Sequence, residues 1–162
     1  MKNTFNPQEI VNIAINIEEN GKKLYEILET KAKDQKLKAT CKYLKEQEEI
    51  HLKFFQEMLG NIGDYIIHEF SPGEYQAYLR AIATEYIFTQ EIVRNKLKEG
   101  FKSDFEAVEF GIFVEKESIL TYSALREYML TGKVGVLDKV IDQERKHLTD
   151  LITMKDSLRK EG

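Results

Sequence analysis

Glu48-Glu49-Ile50-His51 and Glu144-Arg145-Lys146-His147 are two copies of one pattern, Glu-x-x-His. Each lies inside a long run with helical periodicity. Residues three apart on a helix are neighbours on one face. Each pair therefore presents a carboxylate beside an imidazole, two groups that can hold one metal ion together. At almost the same distance upstream of each pair stands a helix with a lone inward-pointing glutamate, Glu18 and Glu115. The set is four glutamates and two histidines in two matching halves.

Periodicity assigns the helices around these residues. The first helix spans Pro7 to about Lys31, with Asn6 as cap, Pro7 in the first turn and Glu9 three residues after the cap. Its inner face reads Ala14, Glu18, Gly21, Tyr25 and Leu28. Glu19 instead lines up with Lys22, Lys23 and Glu26, the wet side, which selects Glu18 over its neighbour. A turn at Lys33-Asp34 leads to a second helix, about Gln35 to Leu59, closed by Gly60, with Cys41, Leu44, Glu48, His51, Phe55 and Met58 inward.

The connector, about 61–102, is the least regular part. Ser71-Pro72-Gly73-Glu74 has the form of a capped helix start, and a helical segment follows to Gly100, with a break expected near Thr84. A link this long lets the third helix start at the same end as the second. Ser103-Asp104-Phe105-Glu106 has the form of a capping box opening that third helix, which is expected to run to about Leu130. It is apolar nearly all round, so burial on more than one side is expected, including a subunit contact. There Glu117 competes with Glu115 for the inward position, because both have apolar neighbours. Gly132 and Gly135 mark a turn, and a fourth helix covers about Val136 to Leu158.

Overlaying residues 10–59 on 107–155 extends the match. Ala14 falls on Gly111, Gly21 on Ser118, Tyr25 on Tyr122, Leu28 on Leu125 and Leu52 on Leu148. The chain reads as two helical hairpins of one design, related by an approximate two-fold axis that would bring the acidic stripes together.

Four carboxylates in an apolar core require neutralisation, since one unpaired buried charge costs several kcal/mol. Two divalent cations would match four ionised glutamates, with one neutral imidazole per ion. Carboxylate with imidazole suits iron and also accepts manganese or zinc. Glu48 and Glu144 are assigned mainly to one metal each, beside His51 and His147, and Glu18 and Glu115 to bridging positions. Tyr25 and Tyr122, nearly two turns after Glu18 and Glu115, can orient the carboxylates by hydrogen bonding. Small Gly21 and Ser118 are expected to leave room for a small oxidant. A single Glu-x-x-His is most often a solvated pair; the second copy, with its matched glutamate and tyrosine, is what makes it a site. His68, in the connector without partners at ligand spacing, reads as a surface residue.

The bulk composition excludes several classes. At 162 residues, 42% hydrophobic and 32% charged, the chain is long enough for one domain (1–162) with a real core. A net charge of −4 gives no attraction to nucleic acid or anionic membrane. No apolar run approaches a membrane span. Met1 to Asn6 is polar and does not open a signal peptide, so a cytoplasmic location is the expectation. The single cysteine, Cys41, excludes an intrachain disulfide or a four-cysteine metal site, and reads as a core residue.

With these residues in place the chain resembles the rubrerythrin branch of the ferritin-like superfamily. The likeness is carried by Ile17 to Tyr25, Glu48 to His51, Glu115 to Tyr122 and Glu144 to His147. The resemblance implies an all-α, ferritin-like four-helix bundle, two hairpins joined by a long, partly helical crossover. It implies a non-haem centre of two iron ions held by Glu18, Glu48, His51, Glu115, Glu144 and His147. In that family such centres reduce hydrogen peroxide or react with dioxygen. Rubrerythrins proper carry a rubredoxin-like domain with paired Cys-x-x-Cys motifs. With one cysteine here, electrons would come from a separate rubredoxin-like protein or reductase. Rubrerythrins also place an additional glutamate one turn after the third-helix ligand, where this chain has Ser118. Iron handling (ferroxidase, storage or delivery) and a non-catalytic metal-binding bundle are the alternatives. A homodimer is the expected assembly.

Overall fold

In the computed structural model, which describes residues 7–65, 73–127, 129 and 131–161, the chain is helical throughout its main elements. These are α1 (Pro7–Lys31), α2 (Gln35–Gly60), α3 (Ile62–Tyr65), α4 (Gly73–Glu99), α5 (Asp104–Arg126) and α6 (Val134–Glu161), with a 3-10 turn at Thr131–Lys133. There is no β-strand among the described residues. The expected caps at Asn6 and Ser71, and His68, lie outside them.

α1 and α2 pack as one hairpin and α5 and α6 as a second; α1 then faces α5, α2 faces α6, and α4 lies along α1. This is the expected four-helix bundle of ferritin-like form. The sharp α1–α2 turn is set by Asp34, whose extended backbone and side chain cap α2 by accepting from Leu37 N at 2.7 Å. Such a cap is worth about 1 kcal/mol. Asp104, the first residue of α5, accepts from the backbone N–H of Lys33 at 2.9 Å and of Asp34 at 2.8 Å. The start of α5 is thereby tied to the start of α2, the end predicted from the length of the crossover.

Other boundaries differ from the periodicity in instructive ways. α4 is continuous through Thr84, because its buried residues Ile82, Tyr86 and Val93 follow one stripe against the bundle. Gly100 ends it in the left-handed region, φ +78°, as a glycine after a helix does. Gly60 is instead the last helical residue of α2, and Asn61 closes the helix, its N–H bonding Glu57 O and Met58 O. Only half of the capping box forms. Ser103 Oγ accepts from Glu106 N at 3.1 Å, but Glu106 turns to Lys102 N and to Lys96 Nζ at 2.6 Å. α5 stops at Arg126, short of Leu130, and α6 starts two residues early, so Gly135 is helical and only Gly132 stands in the turn.

The core consists of two apolar clusters. One gathers Ile10, Ala14, Ile17, Phe55, Met58, Tyr122, Leu125, Leu137 and Val140. The other gathers Leu24, Tyr25, Leu28, Leu37, Cys41, Leu44, Val108, Ile112 and Leu151. Cys41 is buried, and burial pushes its thiol up to about 12, an inert core residue as expected. Between the clusters the bundle carries a layer of buried polar side chains. Among the described residues no helix is long and apolar enough to cross a membrane.

Asp104→Ala removes a charged acceptor from two backbone donors, a loss of about 1.5–3 kcal/mol per bond at most for such bonds. Urea unfolding should show a lower midpoint with an unchanged slope and unchanged helical circular dichroism before the transition.

Candidate metal centre

The polar layer is built by one helical turn from each bundle helix. α1 supplies Glu18, α2 supplies Glu48 and His51, α5 supplies Glu115, and α6 supplies Glu144 and His147; all six are at most 3% exposed. They fall into two overlapping groups whose ligand atoms lie within 4.8 Å of one another: Glu18, Glu48, His51 and Glu144, and Glu48, Glu115, Glu144 and His147. The imidazole rings stack across the centre, with centroids 5.7 Å apart and planes 24° from parallel. Glu117 lies half-buried outside this layer and is influenced by Glu85 of α4, so Glu115 is the inward residue.

Glu48 and Glu144 belong to both groups, Glu18 and Glu115 to one each. This inverts the expected division, in which Glu18 and Glu115 took the shared positions. The reason is the pairing of α2 with α6. Each Glu-x-x-His carboxylate faces the opposite hairpin, so that Glu144 Oε1 sits 2.7 Å from His51 Nδ1 and Glu48 Oε1 sits 3.6 Å from His147 Nδ1.

The two tyrosines also cross between hairpins. Tyr25 on α1 donates its hydroxyl to Glu115 Oε1 on α5, and Tyr122 on α5 donates to Glu18 Oε1 on α1. α1 and α5 run antiparallel, so the glutamate of one stands opposite the tyrosine of the other. Gly21 leaves no open channel: a Cβ there would lie 2.7 Å from Glu48 Oε2, so the carboxylate occupies the space a side chain would take. At the matching position Ser118 Oγ lies 2.8 Å from Glu144 Oε2 and 2.7 Å from the Glu115 carbonyl, and its one proton serves either acceptor. The room expected for an oxidant at these small residues is thus filled by the ligand carboxylates themselves.

Gln143 went unpredicted. Its Oε1 accepts from His51 Nε2 at 2.9 Å, which places the ring proton on Nε2 and turns Nδ1 towards the carboxylates. The signal was present: Gln47 precedes Glu48 just as Gln143 precedes Glu144. Both glutamines lie off the inward stripe, and periodicity alone reads them as solvent-facing.

The electrostatics are those of a site short of positive charge. Burial, then the neighbouring carboxylates, raises Glu18, Glu48 and Glu115 above the ordinary carboxyl range. Burial also acts on Glu144, but contact with His51 outweighs it and holds this carboxyl at about 2. Burial opposes the charge on His51, yet Glu144 and Glu18 lift it to about 10, whereas burial leaves His147 at about 4. Burial, then adjacent glutamates, raises both tyrosines, so their hydroxyls stay protonated donors. Among the described residues Glu18 Oε2, Glu48 Oε1, Glu115 Oε2 and both ring nitrogens of His147 have no hydrogen-bond partner, and Glu144 Oε1 has only the ion-pair contact with His51 Nδ1 at 2.7 Å. Unpartnered lone pairs converging from carboxylate and imidazole fit divalent first-row metals such as iron.

Fold and site together define a helical bundle with a buried carboxylate–imidazole cage for two metal ions. A family model for rubrerythrin matches residues 9–155, and the chain belongs to that family. It is also similar to a solved Thermotoga maritima structure described as a ferritin-like diiron-carboxylate protein. That similarity is 27% identity over 94% of this chain and 95% of the other, with a TM-score of 0.67. The comparison with curated proteins returned no match.

A pH dependence follows for the metal-free protein. His51 binds its proton more tightly when folded, so its contribution is complete below the ordinary 6.5 and is lost as pH rises towards 10. The raised Glu18, Glu48 and Glu115 act in the same sense above 4.5. His147 and Glu144 have depressed values, so their contributions are lost only on acidification, towards 4 and 2 respectively. Thermal melting of metal-free protein should therefore fall between pH 6.5 and 10. Saturating divalent metal should abolish most of that fall and release protons on binding, measurable by calorimetry in buffers of different ionisation enthalpy.

Proposed function

We propose that this protein is a non-haem di-iron oxidoreductase that reduces hydrogen peroxide or dioxygen with electrons from an external donor. The observation that carries the reading is the pair of overlapping buried groups sharing Glu48 and Glu144. In this reading Glu18 and His51 would hold one ion and Glu115 and His147 the other, with Glu48 and Glu144 available to both. When bound, two ferrous ions supply two electrons to an oxygen–oxygen bond; with two protons, hydrogen peroxide yields two molecules of water. Tyr25 and Tyr122 hold Glu115 and Glu18 in place through their hydroxyl protons. The apolar clusters above and below keep bulk water from the polar layer. Manganese or zinc would suit the same donors, and only iron or manganese supports redox chemistry.

The donor is proposed to be a separate rubredoxin-like protein or reductase, since a lone buried Cys41 cannot build an electron-transfer metal site. A homodimer is proposed, supported by apolar side chains left exposed on adjoining elements, Leu120 on α5 and Ile92 on α4. The second reading is iron handling, favoured by the same ligand set; storage would require a closed shell of many subunits.

Protein purified from unsupplemented medium should contain close to two metal ions per chain, and Glu18→Ala and Glu115→Ala should each lower that content by at least one. Stopped-flow mixing of the diferrous protein should show faster oxidation by peroxide than by dioxygen. Indifference to both oxidants, or a metal content unchanged in both variants, would sink the proposal. Light scattering separates the dimer from a storage cage.

Tyr25→Phe should leave the fold and metal content intact but raise the metal dissociation constant about 10-fold, because Glu115 loses its orienting donor.

A further inference from the structure

The two halves match in sequence, but the two ligand groups differ in geometry. His147 Nδ1 lies 3.6 Å from Glu48 Oε1, 3.7 Å from Glu115 Oε2 and 3.8 Å from Glu144 Oε1. Among the described residues His147 Nδ1, Glu48 Oε1 and Glu115 Oε2 have no hydrogen-bond partner, and Glu144 Oε1 is engaged with His51. Donors each about 2.0–2.2 Å from one divalent ion stand roughly 3.0–3.5 Å from each other. His147 Nδ1 thus stands a few tenths of an ångström further than that from each of the three oxygens and touches none of them, while the Glu115 and Glu144 carboxyls are in hydrogen-bonding contact with each other. An ion can take its place beside this imidazole without displacing the ring.

The His51 group is closed. Its Nδ1 is 3.5 Å from Glu18 Oε2 but only 2.7 Å from Glu144 Oε1. An ion cannot be ligated by both of these atoms until one withdraws. His51 is the less free to do so, because Gln143 holds its Nε2 at 2.9 Å, while His147 Nε2 has no partner. Glu144 Oε1 is the atom common to the two arrangements, and Ser118 Oγ steadies the other oxygen of that carboxylate from the α5 side.

Resting on the two-ion reading above, we infer that the ions load in a fixed order. The first enters the group of Glu48, Glu115, Glu144 and His147, whose imidazole is clear of the carboxylates. It draws Glu144 Oε1 away from His51, and only then does the group of Glu18, Glu48, His51 and Glu144 open to the second ion. Gln143 is a positioning residue for the second ion, since the hydrogen bond it makes to the set goes to His51.

The test is titration of metal-free protein with Co²⁺, followed by visible absorption and calorimetry. Two steps should be resolved, at least 10-fold apart in affinity. Glu115→Ala should remove the tight step and, with it, the weak one. Glu18→Ala should remove the weak step and leave the tight one within about threefold. Gln143→Leu, at an exposed position, should weaken the second step about 10-fold and leave the first unchanged. Two equal steps, loss of the tight step in Glu18→Ala, or a weakened first step in Gln143→Leu would overturn the order while the two-ion reading stands. A wild-type protein that binds no Co²⁺ overturns both.

Discussion

Burying four carboxylates in one layer of a bundle is the constraint on which everything else here depends. Glu18, Glu48, Glu115 and Glu144 are all but inaccessible to water, between two apolar clusters. At that depth a charge without a counterion costs several kcal/mol, comparable to a sizeable part of the whole stability of a domain. Without metal, protons must do the neutralising, which is why three of the carboxyls are raised and His51 is held charged beside Glu144. The fold therefore keeps a layer that destabilises it at neutral pH unless cations replace those protons. Such a layer is the mark of a ligand site rather than of a packing solution.

The architecture serves this layer. Four helical segments must deliver one or two residues each to one height, and that requires fixed registers. The α1–α2 register is set by a tight turn capped by Asp34, and the register of α5 against that hairpin by Asp104 on the same turn. The crossed hydrogen bonds of Tyr25 and Tyr122 then lock α1 to α5 at the site itself. The tyrosines thus act both as packing residues, one in each apolar cluster, and as the groups that aim Glu115 and Glu18.

The approximate two-fold symmetry is broken just where chemistry would use the difference. Gly21 admits the Glu48 carboxylate, whereas Ser118 fills the matching position with a hydroxyl 2.8 Å from Glu144 Oε2. Gln143 clamps His51, whereas His147 has no partner on Nε2. A repeat supplies two similar half-sites; single substitutions at these neighbours are enough to make the halves unequal.

The bundle helices, their hairpin pairing, the crossover and the six buried glutamates and histidines of the site were legible in the chain, because each is a matter of local periodicity, capping or repetition. Several helix ends were not, because they depend on how the turns pack. Glu18 could be told from Glu19 by the stripe it shares with Ala14 and Leu28, and Glu115 from Glu117 by its match to Glu18. The tertiary structure decided what periodicity cannot encode. That Glu48 and Glu144 are the shared carboxylates depends on α2 facing α6, a relation between hairpins. That Gly21 makes room for a carboxylate and not for an oxidant depends on a side chain from another helix. That Gln143 reaches His51 depends on a contact across the bundle from a residue that its own helix turns to solvent. Contacts within a helix are set by spacing along the chain, but contacts between helices are set by rotation and register, which only the packed core fixes.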